Sequence, residues 1–542
     1  MDIDHSRRDG DMIGRTGKGL AGAAALLVLA VTGCTDLTVE PKSTVTDANV
    51  FNDPSSYRAF IAKIYAGLAV SGQQGAAGQP DIQGIDEGFS QYLRLYWEHQ
   101  ELPTDEAVIG WGDLFLPEMN TQLWGTSNTF VGAMYYRIFY QVGLANEFLR
   151  QTTDAKLDSR GQTSSSLRTE VATYRAEARF LRALSYWHGI DLFGSIPLFT
   201  EDDVVGVPPP QASRAEVYDF IVSELNAIIN DLPQPGASTY GRATSPAAQM
   251  LLATLYLNAG VYTGTPNYAG ALTAASAVIG GPYSLNPVYR NNFLADNHTS
   301  PEIIFAITQD GLRTQTWGGM TFLIHASCGG NMSPVPYGIN GCWWGLRLKN
   351  ASYTRYASGD GRTGYFFLDA SQSDSVSAIS NWFAGIPAPK YSNVTSTGQP
   401  GSNATHVDTD FPMLRLADAY LMYVEAYLRG GGGTEAQALI YFNALRQRAF
   451  GNTNANLPTG VLAVGSAAAL DTVLAERGRE LLWEAHRRTD LVRYGRFTGG
   501  SYLWEWKGNV RAGTPTPSYR DLYPIPDNEL IANPNLRQNP GY

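Results

Sequence analysis

Four groups able to move protons crowd one short stretch near the end of this 542-residue chain: Glu480, Glu484, His486 and Asp490. Two carboxyl groups about 5–9.5 Å apart across a cleft hydrolyse glycosidic bonds. Here they would lie along one helix, beside Arg477, Arg479, Arg487 and Arg488. A guanidinium neighbour keeps a carboxyl ionised, which removes the protonated acid that the reaction needs. The spacing reads better as ion pairing, with Glu476–Arg479 at i, i+3 and Glu484–Arg488 at i, i+4. Such pairs contribute about 0.2–0.5 kcal/mol each on an exposed helix.

A second chemistry is binding without bond cleavage. Sugars present C–H faces for stacking and hydroxyls for hydrogen bonds, so a site for them needs aromatic platforms flanked by polar side chains. The chain holds 11 Trp, 30 Tyr and 21 Phe. Two loop regions combine both features. Residues 89–124 contain Tyr92, Tyr96, Trp97, Asp105, Glu106, Trp111, Asp113, Asn120 and Trp124; residues 313–347 contain Arg313, Trp317, Asn331, Tyr337, Asn340, Trp343 and Trp344. Trp97 and Trp124 adjoin helical patterns and are assigned to the core. The candidate ligand-binding set is Trp111, Trp317, Tyr337, Asn340, Trp343, Trp344 and Trp382.

Cys328 and Cys342 bracket a Gly- and Pro-rich stretch, CGGNMSPVPYGINGC, which reads as a loop. A disulfide is expected there, worth roughly 3 kcal/mol in the chain-entropy model; two buried free thiols are the alternative. The bridge would stiffen the base of Trp343-Trp344 and reduce the entropy lost on binding.

The remaining cysteine, Cys34, ends the apolar run LAGAAALLVLAV in the tetrapeptide Val31-Thr32-Gly33-Cys34, behind Arg7, Arg8, Arg15 and Lys18. A basic segment, a short apolar run and small residues make a secretory signal. The cysteine at the cut resembles a bacterial lipobox, so the expectation is a signal peptide at 1–33 and a lipid on Cys34. Asp2, Asp4, Asp9 and Asp11 suit a signal poorly; Met12 opens a cleaner one and is the expected alternative start.

Net charge is −11 and pI about 5.2. Nucleic acid is excluded as a partner, because phosphate neutralisation needs clustered Lys and Arg. The seven His show no metal-ligand spacing, and Gly430–Gly433 lacks the Lys-Ser/Thr of a phosphate loop. No cofactor is expected. No second long apolar stretch suggests a membrane span.

The elements that must position these residues are helices. Asp53-Pro54 opens one, with Tyr57, Phe60, Ile61, Ile64, Tyr65 and Leu68 on one face. Others are expected at about 131–151, 167–193, 213–232, 244–260 and 268–280. Further helices are expected from Leu414, after Thr434, and over about 471–494. Residues 71–128 show little periodicity, and 281–410 read as irregular loops with short strands. Tight turns between paired helices resemble tetratricopeptide-like stacking.

Four segments carry a closer resemblance: RAEARFLRALSYWHGIDLFGSIPLF (175–199), FPMLRLADAYLMYVEAYLRGGG with NALRQRAFG (411–451), ERGRELLWEAHRRTDLVRYGRF (476–497) and YPIPDNELIANPNLRQNPGY (523–542). A weaker match is LPTDEAV at 102–108, followed by Trp124 and GLANEFL. In this order, behind a lipobox, they resemble the SusD/RagB family of outer-membrane nutrient-binding lipoproteins. The resemblance implies a mostly α fold with four tetratricopeptide-like helix pairs. It implies lipid anchoring at the outer membrane, exposed on the surface, over a SusC-like TonB-dependent transporter. The lipoprotein would act as a lid that captures an oligosaccharide or peptide, and would not be an enzyme. The competing readings are a secreted glycan-degrading enzyme and a repeat scaffold binding only protein. The expected organisation is a signal at 1–33, a tether at 34–52 and a single domain at 53–542. That domain would comprise a helical part (53–280), a loop-rich ligand-binding insertion (281–410) and a second helical part (411–542).

Overall fold

A computed structural model describes residues 51–542. The expected signal segment, Cys34 and nearly all of the 34–52 tether lie outside the described residues.

The helical spacing of Phe180, Leu184, Trp187 and Asp191 becomes one long helix, Ser165–Phe193, with all four side chains buried. Gly194, at φ 76°, ends it in a conformation that favours glycine. Ser213 opens Arg214–Ile228 with a full capping box: its hydroxyl accepts from Glu216 N–H, and the Glu216 carboxylate accepts from Ser213 N–H. The first helix, Ser55–Ala69, has Pro54 rather than Asp53 at its cap position.

Neighbouring helices share buried faces. Thr129–Gln151 packs on Ser165–Phe193, which packs on Arg214–Ile228; Ser245–Leu257 packs on Tyr268–Ile279. Tyr268–Ile279 then packs on Leu416–Leu428, against which Glu435–Phe450 and Ala467–Glu480 lie. The chain therefore leaves the helical array at Ile279 and rejoins it beside the same helix at Leu416. Residues 280–415 lie between the two, and from them Ile303–Ile307 touches Ser55–Ala69 and Ser245–Leu257 of the array. Ile303–Ile307 forms an antiparallel pair with Phe411–Arg415.

A second antiparallel pair matters more for the site. Ala107–Ile109 pairs with Leu346–Leu348, with Val108 opposite Arg347. This short ladder brings the two aromatic-rich regions, 89–124 and 313–347, together.

Three expectations need correction. The aperiodic 71–128 region contains a helix, Tyr92–Glu101, in which every residue is buried. Half of its residues are polar, Arg94, Glu98, His99, Gln100 and Glu101, and they are buried through tertiary partners rather than turned to solvent, as where Gln100 donates to Asp191. The expected 471–494 helix is two, Ala467–Glu480 and Arg487–Arg493, separated by Trp483 (φ 59°) and Ala485 (φ 61°). Left-handed backbone at non-glycine residues is unfavourable. Here the Trp483 carbonyl is held by Trp97 Nε1 and Tyr391 Oη, both at 3.0 Å. The break also cancels the expected Glu484–Arg488 pair. Finally, the charges of this region are buried rather than on an exposed helix face. Among the described residues no helix is long and apolar enough to cross a membrane.

Candidate functional site

The acid–base cluster is a core ion-pair lattice. Glu480 accepts from Arg362 and Arg415, at 2.9 and 2.8 Å, and from Arg448. Glu484 is held by Arg415 and Lys390, each at 2.5 Å. Glu476 pairs with Arg362 and Arg479, each at 2.7 Å. Burial alone would raise the Glu476 carboxyl, but Arg362 and Arg479 outweigh it and hold it at about 2. Burial likewise opposes Glu480, and Arg448, Arg415 and Arg362 still keep it well below the usual carboxylate range. Arg488 pairs with Asp191 at 2.9 Å instead of Glu484. Asp490 pairs with Arg477 and Arg493, each at 2.7 Å, so all four carboxylates of the stretch are spent on buried ion pairs.

The aromatic candidates divide into two facets, which receive Trp343 and Trp344, the two residues that follow Cys342 of the Cys328–Cys342 disulfide. In the first, Trp317 lies 5.9 Å from Trp343 and 4.8 Å from His406, measured between ring centroids, at tilts of 51° and 52°. Trp343 stacks on His325 at 4.5 Å. Asn340 stands beside this facet, its amide donating to Thr405 Oγ1 at 2.6 Å, while His325 Nε2 meets the Thr405 carbonyl at 3.0 Å. In the second facet, Trp344 meets Trp382 edge-on at 5.3 Å and Phe383 at 6.0 Å. Trp111 joins it by donating from Nε1 to the Trp344 carbonyl at 2.8 Å.

Consecutive tryptophans serve different facets because the backbone turns between them. Trp343 N–H donates to the His325 carbonyl and Trp344 N–H to the Cys328 carbonyl, at 2.9 and 3.0 Å. Trp344 sits at φ 66°. Gly345 follows at φ 121°, where an added Cβ would fall 2.6 Å from Trp111 Nε1 and 2.9 Å from the Trp382 ring. Only glycine allows the rings to close over this turn.

Beneath Trp111, the Arg94 guanidinium lies 4.2 Å from the Phe89 ring, 4.0 Å from Phe322 and 5.3 Å from Trp111. Arg94 Nε donates to Glu98 Oε1 at 2.9 Å. Cation–π contacts of this kind, desolvated, are worth about 2 kcal/mol.

Tyr337 is half-buried and placed against the 393–401 turn, its carbonyl accepting from Asn393 N–H at 2.9 Å. Burial raises its phenol, against the pull of Arg290. Several polar candidates are not available to a ligand. Asp105 and Glu106 are buried against Arg355 and Arg487. Asn120 is spent on both backbone groups of Ile109. Tyr92, Tyr96, Trp97 and Trp124 are core. Asp113, Asn331, Asn340 and Arg313 remain exposed. The sequence reading missed His325, His406 and Phe383. Their distance along the chain from the tryptophans they contact left no local signal.

Trp317 is exposed, while Trp111, Trp343, Trp344 and Trp382 are partly buried. Cavities of about 300 Å³ beside Tyr136 and Pro526, and about 430 Å³ under the 199–210 loop, include none of these rings.

The profile of the SusD family matches residues 301–542. Starch-binding protein SusD of Bacteroides thetaiotaomicron is 34% identical, over 97% of this chain and 99% of that protein. A SusD-like protein of Bacteroides ovatus is 24% identical over 89% of this chain and 85% of its own length. Among solved structures, a SusD superfamily protein from Parabacteroides distasonis superposes with a TM-score of 0.69 at 21% identity, covering 90% of this chain and 99% of that one. Surface glycan-binding protein A from Bacteroides thetaiotaomicron, in complex with laminarihexaose, superposes with a TM-score of 0.66 at 19% identity over 90% and 99%.

Proposed function

This chain belongs to the SusD family, and on that premise we propose that it is a lipid-anchored outer-membrane protein that binds an oligosaccharide across its two aromatic facets. It hands this cargo to a SusC-like transporter and acts as the lid. One observation carries the binding step: tryptophans from three separate segments, 111, 317–344 and 382, gather around a disulfide-braced turn with polar side chains exposed beside them. The starch-binding name of the relative at 34% identity supports a glycan over a peptide. Binding breaks no bond in this reading. The carboxylates that could have hydrolysed a glycan are sealed in ion pairs.

Calorimetry against a panel of starch and laminarin oligosaccharides, with peptides as the contrast, tests the reading. Joint replacement of Trp317, Trp343 and Trp344 by Ala should abolish glycan binding while the fold persists. Wild-type-like affinity in that variant rules out this surface, and binding to peptides alone rules out the glycan. Release of reducing ends by the purified protein would favour a hydrolase. Co-purification with a large β-barrel from outer membranes tests the transporter partnership.

A further inference from the structure

Arg347 is 1% exposed, and among the described residues no carboxylate pairs with it. Its Nη2 donates to the Ile379 carbonyl at 2.7 Å, and the guanidinium lies 5.6 Å from the Trp382 ring centroid. Among the described residues, Nε and Nη1 have no acceptor. Burial pulls this arginine down to about 10, so it is still charged at neutral pH. A buried cation without a partner opposes folding, and an apolar chain of similar length would remove that penalty. Stability of the core therefore does not account for an arginine here.

Its contacts point to another role. Residues 373–385 form a loop clasped at its base, Ser373 N–H donating to the Phe383 carbonyl and Gly385 N–H to the Ser373 carbonyl, both at 2.9 Å. One limb is fixed from the C-terminal region. Ser375 Oγ and Val376 N–H donate to Glu505 Oε1 at 2.5 and 3.0 Å, and Trp506 Nε1 donates to the Val376 carbonyl at 2.8 Å. The other limb carries Trp382, and Arg347 reaches it twice, through Ile379 and through the ring. Gly110 permits the approach: an added Cβ would lie 2.9 Å from the Ile379 oxygen and 3.1 Å from Arg347 Nη1. The planar guanidinium can stack and donate at once, which a lysine ammonium does less well.

We propose that Arg347 is a positioning residue for the ligand surface, latching the Ile379–Trp382 limb so that Trp382 stands against Trp344. It does not itself touch cargo. The proposal rests on the glycan-binding reading for its functional consequence, but the latch can be tested without ligand.

Iodide quenching of the ligand-free protein reports the exposure of Trp382, taken as the difference between each protein and its Trp382→Phe counterpart. In Arg347→Met the Trp382 contribution should become at least twofold more quenchable, with a melting temperature equal to or above wild type. Glycan affinity should fall about tenfold. In a Trp382→Ala background, Arg347→Met should add no further loss, and Arg347→Lys should fall between wild type and Met in both readouts. Unchanged quenching in Arg347→Met overturns the latch, as does a full affinity loss that persists in the Trp382→Ala background. If Arg347→Met does not fold, Arg347→Lys carries the quenching comparison, and wild-type quenching there overturns the latch. If wild type binds no glycan, the functional reading fails while the quenching result still decides the latch.

Discussion

The Trp111 indole donates to the Trp344 carbonyl at 2.8 Å, joining residues 233 positions apart in sequence. The bond crosses the two-stranded ladder of Ala107–Ile109 and Leu346–Leu348 and makes one surface out of two loop regions. It also supports the carbonyl of a residue held at φ 66°.

Trp111→Phe keeps the ring but removes the donor. The expected loss is about 1 kcal/mol of stability, the usual net worth of one hydrogen bond. Glycan affinity should fall more than the melting temperature suggests, because the Trp344 turn loses its support. Denaturant titration and calorimetry on the same preparation separate the two effects.

Trp317→Ala and Trp343→Ala each remove one ring of a facet whose members contact one another. Each should weaken glycan binding about tenfold, or about 1.4 kcal/mol. Rings in contact share an environment, so the double variant should lose less than the sum. Strict additivity would mean that the two rings hold different parts of the cargo.

Cys328→Ser with Cys342→Ser opens the loop at the base of both facets. The chain-entropy model assigns a loop of this length about 3 kcal/mol. Thermal melts with and without reductant should reproduce that direction in wild type and show no reductant effect in the double variant. Glycan affinity should fall with the bridge broken, since Trp343 and Trp344 then order only on binding.

Arg415→Met removes the cation shared by Glu302, Glu480 and Glu484. Leaving buried carboxylates short of a partner typically costs about 3–5 kcal/mol. Chemical denaturation should show this loss. If the surface is intact in the folded fraction, glycan affinity per folded molecule stays at the wild-type value.

Acid should unfold the protein partly through Glu476. Its carboxyl is depressed from 4.5 in the free residue to about 2 in the fold. A depressed carboxyl contributes stability that is present above about pH 4.5 and is lost as pH falls toward about 2. Wild type should therefore lose melting temperature more steeply across that window than Glu476→Gln. Parallel slopes would remove Glu476 from the account of acid sensitivity.

The helical array was legible because each of its helices keeps one apolar face and recognisable ends. Phe180, Leu184 and Trp187 marked the longest helix, and Ser213 with Glu216 marked the start of another. The Tyr92–Glu101 helix was not legible because half of this short segment is polar, and only distant partners such as Asp191 for Gln100 carry those groups into the core. The break at Trp483 was hidden for a different reason. Gly478, the one poor helix former in ERGRELLWEAHRR, stays inside a helix, and Leu481 to Ala485 carry no stop signal; at the break the Trp483 carbonyl is bound by the distant Trp97 and Tyr391.

For the candidate site, residue type and loop context singled out the tryptophans as candidates, because large rings in Gly-rich segments have few reasons to be there other than packing or contact. Which rings meet was decided by the tertiary structure alone. Trp343 and Trp344 are neighbours in sequence, yet one joins Trp317 and His325 while the other joins Trp382 and Trp111. That split depends on a left-handed turn, a disulfide and a ladder whose partners lie far apart along the chain. Composition and local spacing specify what a residue can do; long-range contacts specify what it does it with.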